Sequence, residues 1–153
     1  MRLTRQSSYA IRTLIYCAVN DPGLSRVADI ARANGISELF LFKLIKPLVE
    51  HGLLATVRGR RGGIRLGRPA SEITLLDTVR LTEESFSMAE CFEGDTTCPL
   101  VVGCDLSAAL NEALEAFFNV LDSYTIADLS DKRRSIREKL GLVLDDGPLA
   151  VVN

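Results

Sequence analysis

A single histidine, His51, stands in the whole chain of 153 residues. That argues against a histidine-built metal site and against histidine-centred catalysis. No phosphate loop and no nucleophile elbow occur either, so neither an enzyme nor a small-molecule substrate is expected. No stretch approaches the roughly 20 apolar residues that span a bilayer. The basic opening Met1–Ser8 is followed by no signal-like apolar run or cleavage site. A cytoplasmic protein with no membrane partner is therefore expected. Internal repeats and low-complexity runs are also missing. The most informative gap is in charge, because no Lys, Arg or His occurs between Leu81 and Asp131.

What is present is arranged around that gap. Residues 1–68 hold 12 Lys and Arg against 4 Asp and Glu, a balance of +8. Residues 69–153 hold 6 against 16, a balance of −10, and the net −2 conceals both. A basic half beside an acidic half suggests that the first half meets a polyanion. Apolar residues make up 47% and charged residues 25%, the profile of a globular protein.

Periodicity gives the elements. A helix is expected from Thr4, its cap, to Asn20, with Tyr9, Ile11, Leu14, Ile15 and Ala18 at helical spacing. A second is expected after Ser25 as cap, with Val27, Ile30 and Ala31 inward, ending at Asn34-Gly35. A third follows Ser37, with Leu41, Leu44, Ile45 and Leu48 on one face. Two β-prone runs, Leu53–Val57 and Ile64–Leu66, flank a glycine-rich turn and read as a hairpin. Arg68-Pro69 closes this unit. Thr74 with Asp77 opens another short helix. Leu106, Ala109, Leu110, Ala113, Leu114, Phe117 and Leu121 mark a long amphipathic helix to about Ser123. A short helix follows Thr125, and Asp131–Leu140 reads as helical and charged. The expected fold is mainly α: a winged helix-turn-helix with a cysteine-bearing loop and a long C-terminal dimerisation helix. Its divisions are a DNA-binding domain at 1–68, a cluster loop with dimerisation helix at 69–130, and a helix with flexible tail at 131–153.

Helix, short turn with Gly35, helix and then hairpin is the winged helix-turn-helix order, and double-stranded DNA is the expected partner. With its apolar face inward, the third helix turns Leu39, Lys43, Lys46 and Glu50 outward, and Ser37, Glu38 and Phe42 flank its N-terminal end. Lys43 and Lys46 suit phosphates or guanine edges, Glu38 a cytosine amine, and Phe42 a thymine methyl. In the wing, Arg58, Arg60, Arg61 and Arg65 fall within eight residues, interleaved with Gly59, Gly62 and Gly63. They suit phosphates or a narrow minor groove. A helix-turn-helix protein commonly reads a two-fold operator as a homodimer, and the apolar stripe of the long helix is the natural surface for it.

Three cysteines, Cys91, Cys98 and Cys104, lie in one glycine-containing segment. Soft thiolates so placed can wrap an iron–sulfur cluster. A thiol–disulfide switch is the second reading. Zinc is the third and weakest, because a Cys-x-x-Cys pair and a fourth ligand are lacking. Cys17, among Leu14, Ile15 and Ala18, reads as a small buried hydrophobe.

The opening Met1-Arg2-Leu3-Thr4, the wing Val57-Arg58-Gly59-Arg60-Arg61-Gly62-Gly63-Ile64-Arg65-Leu66-Gly67, and three spaced cysteines before a long helix resemble the Rrf2 family of transcription regulators. The resemblance covers roughly residues 1–130. Ser37–Lys43, Met88–Glu93 and Cys98–Val101 look most like its iron-responsive members. It implies a winged-helix dimer in which Cys91, Cys98 and Cys104 hold a [4Fe–4S] cluster, with [2Fe–2S] as another form. It also implies a repressor responding to iron and cluster status, with nitric-oxide or redox sensing as the alternative. Some members place an Asp ligand where this chain has Ser8, and others a His where it has Ser107. The fourth iron position then falls to water, a small thiol, or a carboxylate such as Glu90, Glu93, Asp95 or Asp105.

Overall fold

Hydroxyl side chains set where four of the helices begin. The computed structural model describes residues 3–89, 92, 98 and 104–142. Thr4 opens α1 (Arg5–Asn20), Ser37 opens α3 (Glu38–Glu50), Thr74 opens α4 (Leu75–Thr82) and Thr125 opens α6 (Ile126–Ser130). Each hydroxyl oxygen accepts a backbone N–H of the first turn, from Ser7, Phe40, Asp77 and Asp128 respectively. At α4 and α6 the aspartate reaches back to the cap residue's own N–H, which completes a capping box.

Among the described helices, α2 (Val27–Asn34) and α7 (Arg133–Lys139) start without a hydroxyl cap, as does the long helix that follows Cys104. Ser25 was expected to cap α2, and it does not. It pairs instead with the hairpin, its N–H donating to the Ile64 carbonyl at 2.9 Å and its carbonyl accepting from the Ile64 N–H at 2.8 Å. The buried Ser25 therefore acts as a third, one-residue strand beneath the wing. The hairpin itself is β1 (Leu54–Val57) and β2 (Gly63–Leu66), antiparallel, with Leu54 opposite Leu66 and Val57 opposite Gly63. A Cβ at Gly63 would stand 2.7 Å from the Ser25 carbonyl oxygen, so only glycine allows this approach.

The turn between α2 and α3 depends on Gly35, whose φ of +64° lies in the left-handed region. The Ile36 N–H then returns to the Ala31 carbonyl at 3.0 Å, and Ser37 starts the next helix. The inward face of α3 is the expected one: Leu41, Leu44, Ile45 and Leu48 are all buried. Burying each contributes about 1.5–3 kcal/mol. Phe40 fixes the other side of α3 to α1 through an edge-on contact with Tyr9, centroids 5.8 Å apart.

The packing face of α1 differs from the expected one. Leu14 and Ala18 are buried, but Ile11 and Ile15 are only partly covered. The core side consists of Ala10, Thr13, Leu14 and Cys17, with Tyr16, Ala18 and Val19 also buried. α1 is covered on several sides by α2, α3, α4, α6, α7 and β2, so its buried arc is wider than one amphipathic stripe. Small residues and a hydroxyl serve where helices cross closely.

The core does not stop at residue 68. Ile73, at the end of a short 3-10 turn (Ala70–Glu72), and Ile126 are fully buried in the same cluster as Leu14 and Leu48. Arg133 and Arg137 donate to the Asp21 and Val19 carbonyls, the latter at 2.8 Å, and so cap the C-terminal end of α1 from α7. The remaining element, α5 (Asp105–Ser123), is the longest described helix, and none of its residues is buried. It is tied to the core at its C-terminal end. There the Leu75 N–H donates to the Tyr124 carbonyl at 2.9 Å and the Ile126 N–H to the Ile73 carbonyl at 2.8 Å. Phe118 meets Phe86 edge-on at 5.0 Å and lies under the Arg80 guanidinium at 5.3 Å. No described helix is long and apolar enough to cross a membrane.

Candidate functional site

The outward face of α3 carries Leu39, Phe42, Lys43, Lys46 and Glu50, all exposed. Ser37 and Glu38, at its N-terminal end, are exposed as well, although the Ser37 hydroxyl is engaged by the Phe40 N–H at 3.2 Å. Lys46 Nζ lies 3.9 Å from Glu50, with the two side chains 77% and 57% exposed. A pair this exposed is worth a few tenths of a kcal/mol at most, so a phosphate displaces it easily. In the wing, Arg58, Arg60 and Arg61 occupy the turn and Arg65 lies on β2, all exposed. None of the four is in an ion pair among the described residues. Arg68, in contrast, is committed to the fold: it pairs with Asp77 at 2.5 Å, the carboxylate that also closes the α4 cap. The structure thus separates the exposed wing arginines, in no ion pair among the described residues, from Arg68, which the fold itself uses.

Of the three clustered cysteines, Cys91 lies outside the described residues, as do Glu90, Glu93 and Asp95. Cys98 is exposed, and Cys104 is half-buried. Among the described residues no group of three His, Cys, Asp or Glu side chains is placed to hold a metal. Cys104 is the N-cap of α5, and its side chain makes no capping bond. Where α1, α3, α4 and α6 present a hydroxyl to their first N–H groups, α5 presents a sulfur that makes no capping bond to them. Negative charge is favoured at such a helix start, which suits a metal-bound thiolate. The donor chemistry of Cys98 and Cys104, with Cys91 in the same segment, therefore fits an iron–sulfur cluster. Asp105 is exposed in the first turn of α5. Ser8 is exposed on α1, and Ser107 is half-buried with its carbonyl accepting from the Asn111 side chain at 3.0 Å. Cys17 is buried, and burial pushes its thiol up to about 12, opposed in part by a hydrogen bond with Ser25. It stays a neutral thiol, unsuited to ligation.

A matching family model covers residues 3–132 and is described as Rrf2, iron-dependent transcriptional regulator. The chain belongs to the Rrf2 family. Rrf2 regulators bind DNA, and this chain is accordingly a DNA-binding transcription regulator. It is 62% identical over 143 residues to protein aau3 of Rhizobium meliloti, covering 93% of each. It is 44% identical over 142 residues to the HTH-type transcriptional regulator NsrR of Geobacillus kaustophilus, covering 92% of this chain and 97% of that one. Among solved structures, it is similar to the oxidized form of Staphylococcus aureus CymR, with a TM-score of 0.69 and 28% identity. That match covers 86% of this chain and 97% of the other. The winged-helix architecture of the Rrf2 regulators is therefore the fold of this chain.

One structural contact escaped the sequence reading. Glu83, at the C-terminal end of α4, accepts from the Thr4 backbone N–H at 2.7 Å, the Thr4 hydroxyl at 3.0 Å, and the Ser7 hydroxyl. The Ser7 and Thr82 hydroxyl oxygens lie 2.7 Å apart below it, both buried. This carboxylate pins the start of α1 to the residue from which the chain departs toward the cysteines. Burial alone would push the Glu83 carboxyl up, but the hydrogen bonds from Ser7 and Thr4 outweigh it and hold the group below its ordinary 4.5. A carboxyl lowered on folding stabilises the native state fully above that ordinary value, and the contribution is lost as pH falls through the folded value. Glu83→Gln should therefore lower the urea midpoint at pH 7, and the gap from the parent should close as the pH is taken below 4.5. A gap that stays constant down to pH 3 would show that the carboxylate charge is not what holds α1 to α4.

Proposed function

We propose that this chain is a homodimeric repressor whose hold on double-stranded DNA depends on an iron–sulfur cluster, and that it answers to iron and cluster status. The observation that carries the reading is Cys104. A thiol with no capping role heads the same helix that carries an uncovered apolar face. In this reading Cys91, Cys98 and Cys104 hold the cluster, [4Fe–4S] in the resting form with [2Fe–2S] accessible. When bound, the cluster supplies iron whose loss or modification by a small molecule changes the ligand set. The protein's own part is mechanical. Cys104 fixes the head of α5, while the hydrogen bonds of Tyr124 and Ile126 fix its far end against Ile73 and Leu75. Between them lie 19 residues of helix, about 28 Å at the usual rise. A shift at the sulfur therefore turns the apolar face relative to the DNA-binding unit, and the two sites are coupled. Ser37, Glu38, Phe42, Lys43 and Lys46 of α3 enter the major groove. Arg58, Arg60, Arg61 and Arg65 engage phosphates or the minor groove.

The test is a visible absorption spectrum with iron and sulfide assays on protein purified without oxygen. A brown protein with roughly equal iron and sulfide is expected, and the colour and iron should be lost in Cys98→Ala and Cys104→Ala with far-ultraviolet circular dichroism unchanged. DNA affinity should then differ between loaded and stripped protein. Colourless, folded protein with no iron would sink the cluster. The likeness to CymR, solved in an oxidized form, favours one second reading: a thiol switch without metal. Under it the thiol count falls on oxidation while iron is absent throughout.

A further inference from the structure

Leu39 and Phe42 are 70% and 55% exposed on the outward face of α3. Three residues apart on a helix, they are neighbours; Lys43 follows Leu39, and Lys46 follows Phe42, by one turn. Neither belongs to the core, whose α3 contribution is Leu41, Leu44, Ile45 and Leu48. Two large apolar groups in water are a standing cost unless a partner covers them. Their surroundings specify which partner: Lys43 and Lys46 beside them, Ser37 and Glu38 at the helix start, and four exposed arginines on the adjoining wing, all in the basic half of the chain. A polyanion matches that charge. Among the base edges of the major groove the only apolar group is the thymine 5-methyl. We propose that Leu39 and Phe42 read thymine methyls, so that each half-site carries thymines at the steps facing the middle of α3. This deepens the DNA-binding reading and rests on it. Lysine contacts to phosphate hold the helix in register, and the apolar pair supplies discrimination that does not depend on salt.

The test begins with selection of binding sites from a random duplex pool, using the full chain purified without oxygen. The enriched site is then resynthesised with deoxyuridine in place of thymidine, one position at a time. Base pairing is kept, and only the methyl is removed. Binding should weaken by about fourfold at each methyl buried against α3. Equal replacements in both half-sites should weaken it by about fifteenfold, with the slope against salt unchanged. Leu39→Ala and Phe42→Ala should each abolish the penalty at one position. Full affinity across the whole uracil series would overturn the inference while leaving DNA binding intact, and so would undiminished penalties in both variants. A pool from which nothing is enriched would overturn the DNA-binding reading itself.

Discussion

Replacing Arg58, Arg60, Arg61 and Arg65 together with alanine is expected to weaken DNA binding by about a thousandfold or more at moderate salt. A hydrogen bond to a charged phosphate contributes about 1.5–3 kcal/mol net, and four of them exceed that loss even when they are not additive. The same variant should lose about 3.6 from the slope of log affinity against log salt, from roughly 0.9 per phosphate released. Neither effect should come from unfolding. All four side chains are exposed and none is in an ion pair among the described residues, so the melting temperature should stay within a degree or two of the parent. Affinity titrations at three salt concentrations decide the matter. A variant with the parental slope would show that the wing does not touch the backbone, whatever its charge.

The second large effect concerns α5. Leu106 and Val120 are 65% and 56% exposed, and Ala109, Ala113 and Ala116 between them are exposed too. These five lie on one side of the helix, and three of them are small enough for a second helix to approach closely. The double change Leu106→Glu with Val120→Glu should convert a dimer to a monomer in sedimentation equilibrium. Each glutamate would be buried against the partner's apolar side chains without a counter-charge, which a contact of this kind does not tolerate. The monomer holds one half-site at a time and should bind DNA at least about a hundredfold more weakly, because the second contact is no longer held at high effective concentration. Since no residue of α5 is buried within its own chain, the variant should still fold. A dimer that survives both glutamates would place the interface elsewhere.

Legibility from the sequence followed the range of the interactions involved. The inward face of α3, the hairpin and the capping box at Thr74 are local patterns, and they stand where periodicity and turn chemistry put them. Ser25 misled because a serine before a helical run looks the same whether it caps the helix or pairs with a strand 39 residues later. The α1 face misled because a helix packed on several sides buries alanine, threonine and cysteine, which weigh little in a hydrophobic pattern. Val120 belongs to the outer face of α5, yet it lies off the stripe that Leu110, Leu114 and Leu121 define; those three are the half-buried side. Glu83 gave no signal at all, since its partners Thr4 and Ser7 are 79 and 76 residues away. The charged outward residues of α3 and the wing were readable because charge and exposure travel together, whereas Leu39 and Phe42 were readable only as the side opposite the inward face. The family likeness also rests on consecutive residues, which a sequence displays directly.

The division of charge has a kinetic meaning. α3 and the wing lie in a half with a balance of +8, while α5 and the cysteine segment lie in a half with −10. Beyond about one Debye length, roughly 8 Å in physiological salt, the field of either half is largely screened. Close in, the exposed cations of α3 and the wing act locally, and a polyanion is drawn to that surface in preference to the acidic segments. Such a charge division favours encounters that lead with the basic surface, and the bias should fade as salt is raised.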